Sequence, residues 1–328
     1  MADAAIVAAA TSTGYGHGKL IVLGEHAVVY GYPALAAALS SGVTLTASQC
    51  DGASADGASA IGHTEIAEWQ LLVHANTEHP VAIARRQLCA SLGIAPWLER
   101  SLIMRGEAKV PAGAGLGSSA AMAVAMARAI SIHCGISASG EQICAAANAA
   151  ERTFHDTPSG VDVALAYYGG VGEFRRGTGL VALQLPALRV AVGVTGEQRN
   201  TKTMVQTVAT ATSSRADDAR LVELGQLASD GREAWLQRNW QHLGYCCNRA
   251  QMLLADLGVS TARIELLCQT ARTAGASGVK LTGAGGGGSV LAIGDDVDGI
   301  VSAWQAIGMH AFVASIGGTV NATAQEQL

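Results

Sequence analysis

The chain has 328 residues, a formal net charge of −5, 49% hydrophobic and only 14% charged residues. That composition excludes intrinsic disorder, and the length allows one large or two medium domains. No basic run is long enough for a nucleic-acid footprint and no apolar run reaches about 18 residues, so neither nucleic acid nor membrane is an expected partner.

In chain order, "KLIVLGEHAVVY" (19–30) reads as a strand, a turn at Gly24 and a second apolar element, which "YPALAAALS" (32–40) continues. The alternation in "GVTLTASQ" (42–49) predicts a strand. "DGASADGASAIG" (51–62) is turn-rich and predicts a surface hairpin or loop. Residues 78–92 are helical by composition, and "SLIMRGEAKV" (101–110) reads as a strand running into a glycine-rich loop. From Ser118 to Ile132 helix formers follow one another without Gly or Pro, which predicts a buried helix. "GEQICAAANAAERTF" (140–154) predicts a second helix, and Pro158 and Gly160 mark a turn after it. Strand candidates follow in "LVALQL" and "LRVAVGVT", then a largely helical stretch over 215–256. "GVKLTGAGGGGSVLAI" (278–293) reads as strand, glycine loop, strand, and "AFVASIGGTV" (311–320) as a closing strand. Strands and helices intermingle, so the class is α/β or α+β, with a domain boundary near 188–195. The seven cysteines are scattered without a C-x-x-C pair. They fit a reducing compartment, the cytoplasm or an organelle matrix, better than a disulfide framework or a zinc site. The opening "MADAAIVAAATS" lacks a basic n-region and reads poorly as a signal peptide.

The stretch "PAGAGLGSSAAMAVAMARAI" (111–130) places three glycines at alternate positions before two serines and a long apolar run. A helix N-terminus leaves backbone N–H groups without partners and carries the positive end of the helix dipole. Glycines let phosphate oxygens approach that end, so Gly113, Ala114, Gly115, Leu116 and Gly117 form a candidate phosphate loop. Ser118 or Ser119 can add a hydroxyl to a phosphate or to Mg²⁺, which prefers oxygen ligands. The alternative is a glycine turn with an ordinary serine cap. No lysine precedes the serines, so this is not a Walker A loop. "GAGGGG" (283–288) fits a dinucleotide pattern almost trivially, and an apolar strand rather than a helix follows it.

Four further residues carry chemistry. Glu151, near the end of its predicted helix, opposes the helix dipole, which a bound cation would offset; the alternative is a solvated Glu151 paired with Arg152. Asp162 stands alone in the apolar "VDVALA" and is either functional or a helix cap. Lys19 opens a strand, where surface decoration is the commoner role. His26, after Glu25, is by itself more often structural than catalytic.

Three blocks in order, "GKLIVLGEHAVVYGYPALA" (18–36), "PAGAGLGSSAA" (111–121) and "KLTGAGGGG" (280–288), resemble the GHMP kinases, a superfamily of small-molecule kinases. "GEHAVVYG", "ERTFHDTPSGVD" (151–162) and "QRNTKTMV" (198–205) are similar to the mevalonate kinase branch. The resemblance implies an α+β, two-domain fold: a ribosomal-S5-like N-terminal domain over 1–190 and a ferredoxin-like C-terminal domain over 191–328. It implies ATP and mevalonate as substrates and Mg²⁺ as the metal. It assigns phosphate binding to residues 113–119, metal binding to Ser119 and Glu151, and catalysis to Asp162, with Lys19 beside it keeping it ionised. Glu25, His26 and Thr201 are assigned to substrate, with Arg199 and Asn200 near it, and Gly283 to Gly288 shape the cleft. A homodimer is common in the family. His17 stands where the family usually has Pro, and Asp156 where Gly is usual. Phosphomevalonate kinase and homoserine kinase remain alternatives of the same fold. The first would need extra cations, and no Lys/Arg cluster stands near the first block. A non-catalytic sensor of the same fold would be expected to lose Lys19, Glu151 or Asp162, and all three are present.

Overall fold

A computed structural model describes residues 12–50, 61–155, 159–197 and 200–318. Most of the expected loop at 51–62, Asp156, Pro158 and Arg199 lie outside the described residues. The elements are β1 (Ser12–Leu23), β2 (Ala34–Gln49), β3 (His63–Ile66), β4 (Leu71–His74), α1 (Pro80–Ser91), α2 (Pro96–Ser101), β5 (Leu102–Ala108), α3 (Ser118–His133), α4 (Gly140–Glu151) and α5 (Val161–Tyr168). There follow β6 (Val171–Arg175), β7 (Gly179–Leu183), β8 (Leu188–Val194), α6 (Thr201–Ala211), α7 (Ala219–Leu236), α8 (Trp240–Asp256), α9 (Ala262–Thr273), β9 (Gly278–Thr282), β10 (Ser289–Ile293), α10 (Val297–Ala306) and β11 (His310–Ile316). The class is α+β, as expected.

The chain forms two compact units, each discontinuous in sequence. The first holds residues 1–18, 41–111 and 117–167; the second holds 19–40, 112–116 and 168–328. In the first, the Val43–Gln49 half of β2 pairs antiparallel with β5, β5 pairs parallel with β3, and β3 pairs antiparallel with β4. Helices α1, α3 and α4 pack on one another. Helix α3 is buried along most of its length. Its small side chains let β1 come close, and the approach is tight. A Cβ at Gly14 would collide with the backbone of Ala125, and one at Gly16 with the backbone of Ala121. Arg85 is fully buried and donates to Glu99 Oε1 at 2.7 Å, tying α1 to α2.

In the second unit, β6 pairs with the Ala34–Ala37 half of β2 and with β7. A separate antiparallel sheet runs in the order β11-β8-β10-β9. Its connectivity, one strand, helices, a β9–β10 hairpin, a helix and a last strand, is the split βαβ pattern of ferredoxin-like domains. Helices α8 and α9 pack on β9, and α10 packs on β8 and β11.

Several local expectations change. The segments 32–40 and 42–49 belong to one strand, β2. Lys19 lies inside β1 rather than at its start, because Gly14 and Gly16 hide the alternation of the first half. Helix α5 was masked by the Pro158 and Gly160 punctuation and has only eight residues. Filling the contact between β1 and α3 tests the packing. We expect Gly16→Ala to lower stability by about 1–3 kcal/mol in urea unfolding, as overpacking of a tight core does.

Candidate active site

The glycine–serine loop adopts the backbone that its sequence requires. Gly113, Gly115 and Gly117 have φ of 72°, 82° and 68°, a region open to glycine at little cost. Ala114 and Leu116 between them are buried. Two hydrogen bonds within the second unit fasten the loop: the Lys19 N–H donates to the Leu116 carbonyl at 2.8 Å, and Ser289 Oγ donates to the Ala114 carbonyl at 2.9 Å. Gly117 is the N-cap of α3 and no side chain caps the helix. The serine-cap alternative is therefore overturned: Ser118 is the first helical residue. Among the described residues, no backbone amide from Gly113 to Gly117 donates to another protein group. The loop thus offers N–H groups at a positive helix end.

Within the first unit, Ser119 Oγ donates to Glu151 Oε2 at 3.3 Å. Glu151 closes α4 at 1% exposure, with His155 Nε2 at 3.8 Å. A solvated Glu151 paired with Arg152 is not what the structure holds. The residues fit a Mg²⁺ ion: two cis oxygen ligands about 2.1 Å from the metal stand about 3 Å apart. Among the described residues no three His, Cys, Asp or Glu side chains cluster as a metal cage. A cation here would draw its remaining ligands from water and phosphate, as Mg²⁺ commonly does. Asp162 is half-buried in the first turn of α5, between buried Val161 and Val163. Gly160, at φ 80°, sets the turn before it.

The second unit holds the remaining residues. Lys19 is 9% exposed, so it is not surface decoration. Glu25 and His26 stand in the turn after β1, and α7 braces that turn: Gly225 lies against Tyr32 and Gly231 against Leu23. Glu25 is buried in an ion pair with Lys280 of β9. Burial raises the Glu25 carboxyl pKa above its ordinary value, and the Lys280 charge opposes the shift. His26 sits at φ 60°, ψ −45° and bonds through Nε2 to the Ala284 carbonyl at 2.9 Å. Burial lowers its pKa, and Lys280 adds to that. Thr282 Oγ1 accepts from the Ile21 N–H and donates to the Ile21 carbonyl, both at 2.9 Å.

In the third glycine block Gly283 and Gly285 to Gly288 all have positive φ. Gly286 leaves room for Met204 of α6, so the helix opened by Thr201 packs on the same loop that holds His26. Thr201 itself is exposed, and Asn200 caps the helix by accepting from the Thr203 N–H at 3.0 Å. The structure therefore brings Ser119 to Glu151 in one unit. In the other it brings Lys19 to the glycine–serine loop, and Glu25, His26 and the α6 helix to the third block. Lys280, Thr282 and Ser289 lie in or beside quoted motifs, yet sequence reasoning gave them no role. A lysine in a buried-looking strand was the available signal for the first.

The sequence pattern of the GHMP kinase N-terminal domain matches residues 81–170, and that of the GHMP kinase C-terminal domain matches residues 232–308. The chain is 33% identical over 316 residues to a mevalonate kinase of Aeropyrum pernix, covering 91% of this chain and 94% of that one. It is 32% identical over 308 residues to a mevalonate kinase of Methanothermobacter thermautotrophicus, covering 88% and 94%. The crystal structure of L. major mevalonate kinase in complex with R-mevalonate superposes with a TM-score of 0.82 at 25% identity, covering 96% of this chain and 98% of that one. The seam between β1 and β9 can be tested by itself. Thr282→Val keeps the shape but leaves the Ile21 N–H and carbonyl unpaired, and we expect a loss of about 1–3 kcal/mol in urea unfolding.

Proposed function

This chain belongs to the GHMP kinases, in their mevalonate kinase family, and on that premise we infer that it phosphorylates (R)-mevalonate at the 5-hydroxyl with ATP. The products are 5-phosphomevalonate and ADP, a step toward isoprenoid precursors. The observation that carries the phosphoryl-transfer reading is the Ser119–Glu151 pair at 3.3 Å, beside an uncapped helix start.

Phosphoryl transfer asks for positioning and charge neutralisation more than for covalent chemistry from the protein. The amides of residues 113–119 donate to the nucleotide phosphates. Ser119 and Glu151 would hold Mg²⁺, which would supply charge neutralisation to those phosphates. Asp162 orients the substrate hydroxyl and accepts its proton as the new oxygen–phosphorus bond forms and the bond to the bridging oxygen of ADP breaks. Lys19 stabilises the charge that develops. Glu25, His26 and Thr201 serve the mevalonate side, and Gly283 to Gly288 shape it. The division into GHMP domains at residues 190 and 191, and a homodimeric assembly, belong to the same reading. No helix among the described residues is long and apolar enough to cross a membrane. All seven cysteines are free, which supports a cytoplasmic location.

Three measurements test this. ADP release with Mg²⁺–ATP is followed on mevalonate, phosphomevalonate, homoserine and galactose in parallel. Turnover confined to mevalonate is expected, and turnover on another alcohol overturns the substrate. Asp162→Asn is expected to lower kcat by at least about 100-fold, the usual scale of general-base loss, with ATP affinity unchanged. Near wild-type turnover would remove Asp162 from catalysis. Ser119→Ala is expected to raise the Mg²⁺ concentration needed for half-maximal rate; an unchanged requirement moves the ligand role away from Ser119.

A further inference from the structure

Lys280 is fully buried in β9, and its ammonium donates to Glu25 Oε1 and to the Leu281 carbonyl, the latter at 2.6 Å. Two full charges removed from water are costly, and such a pair is not needed for stability alone. What the pair adjoins is unusual. The next residue, His26, holds a backbone conformation that is strained for a side-chain-bearing residue and persists only where its surroundings fix it. Its Nε2 meets a carbonyl, which only accepts, so Nε2 carries the proton. Burial lowers its pKa, which favours the neutral ring. Nδ1 is then a lone-pair acceptor, and among the described residues it has no partner. Glu25, Lys280 and Cys247 interact electrostatically here, the buried Cys247 thiol being pushed up to about 12, and farther along the turn Arg176 donates to the Val29 carbonyl at 3.2 Å.

We propose that Lys280 is a positioning residue. Through Glu25 it holds His26 as the Nε2–H tautomer on Ala284, so that Nδ1 accepts a hydrogen bond from a hydroxyl of the phosphoryl acceptor. Glu25, buried in the pair, acts through His26 rather than by touching substrate. The arrangement selects a hydrogen-bond donor and disfavours a carboxylate at that point, because a neutral Nδ1 has no proton to give. This rests on the kinase reading above for the identity of the acceptor, but not for the state of the ring.

The test uses Lys280→Met and, because that variant strands the Glu25 charge in the core, also Glu25→Gln/Lys280→Met, which strands none. Imidazole nitrogen NMR without substrate is expected to show a single Nε2–H form for His26 in the wild type and a mixture in either variant. Steady-state kinetics should show the KM for mevalonate rising about 3- to 10-fold, the value of one neutral hydrogen bond, with the KM for ATP unchanged. If the folded double variant keeps the wild-type His26 spectrum, or if both KM values move together, the proposal is overturned. If the wild type turns over a different alcohol while the His26 spectrum responds as stated, the kinase reading of mevalonate fails and the positioning role stands.

Discussion

The buried Glu25–Lys280 pair is the constraint on which the turn after β1 and the third glycine block depend. Each ion loses several kcal/mol of hydration on burial, so the pair survives only with good geometry and further bonds. Lys280 has the Leu281 carbonyl as well, and Glu25 lies at the foot of a turn braced by α7. Three polar contacts tie the end of β1 and the turn after it to β9 and the glycine loop beyond: Ile21 with Thr282, Glu25 with Lys280, His26 with Ala284. A glycine-rich segment has too many conformations to hold a shape by itself. These polar rungs select one of them.

The glycines divide into two kinds, and the division explains what each block can do. Gly14 and Gly16 serve contact: they remove side chains where β1 meets α3. Gly113, Gly115 and Gly117 serve conformation, at positive φ, and in the third block Gly285, Gly286 and Gly287 serve both, since a Cβ there would also meet Val259, Met204 or Glu197. The first kind sets how closely a helix approaches a strand. The second kind turns backbone polar groups toward a ligand or toward a neighbouring side chain. Composition records both as an excess of glycine, and only spacing and context separate them.

Legibility followed sequence distance. The long apolar run after Ser118 declares α3, because helix formers without Gly or Pro have few other fates. The β9–loop–β10 hairpin is equally plain. Helix α5 and strands β3, β4 and β6 are short, with too few residues for a period to show. The Lys280–Glu25 pair spans 255 positions, and no local pattern links its members. The apolar surroundings of "VKLT" and "LGEHAVV" nevertheless carry a hint. Each holds a charge where burial is expected, and two such charges of opposite sign are natural partners. The Gly117 cap was similarly obscured, because a serine next to a glycine turn looks like a cap until the helix start is known.

The carbonyls of the glycine–serine loop decide which polar groups it can offer. A loop that presents backbone to an anion has both donors and acceptors, and acceptors facing phosphate oxygens repel them. Here the carbonyls of Ala114 and Leu116 are tied back, one by the Ser289 hydroxyl and one by the Lys19 amide. Alternating positive φ at the glycines makes that possible, since it turns successive peptide planes in opposite senses. Among the described residues, what the loop leaves without a protein partner is its N–H groups. Ser289 and the Lys19 backbone therefore shape the electrostatics of the loop without any charge of their own. Lys19 contributes to this order through its backbone amide, not through its charge.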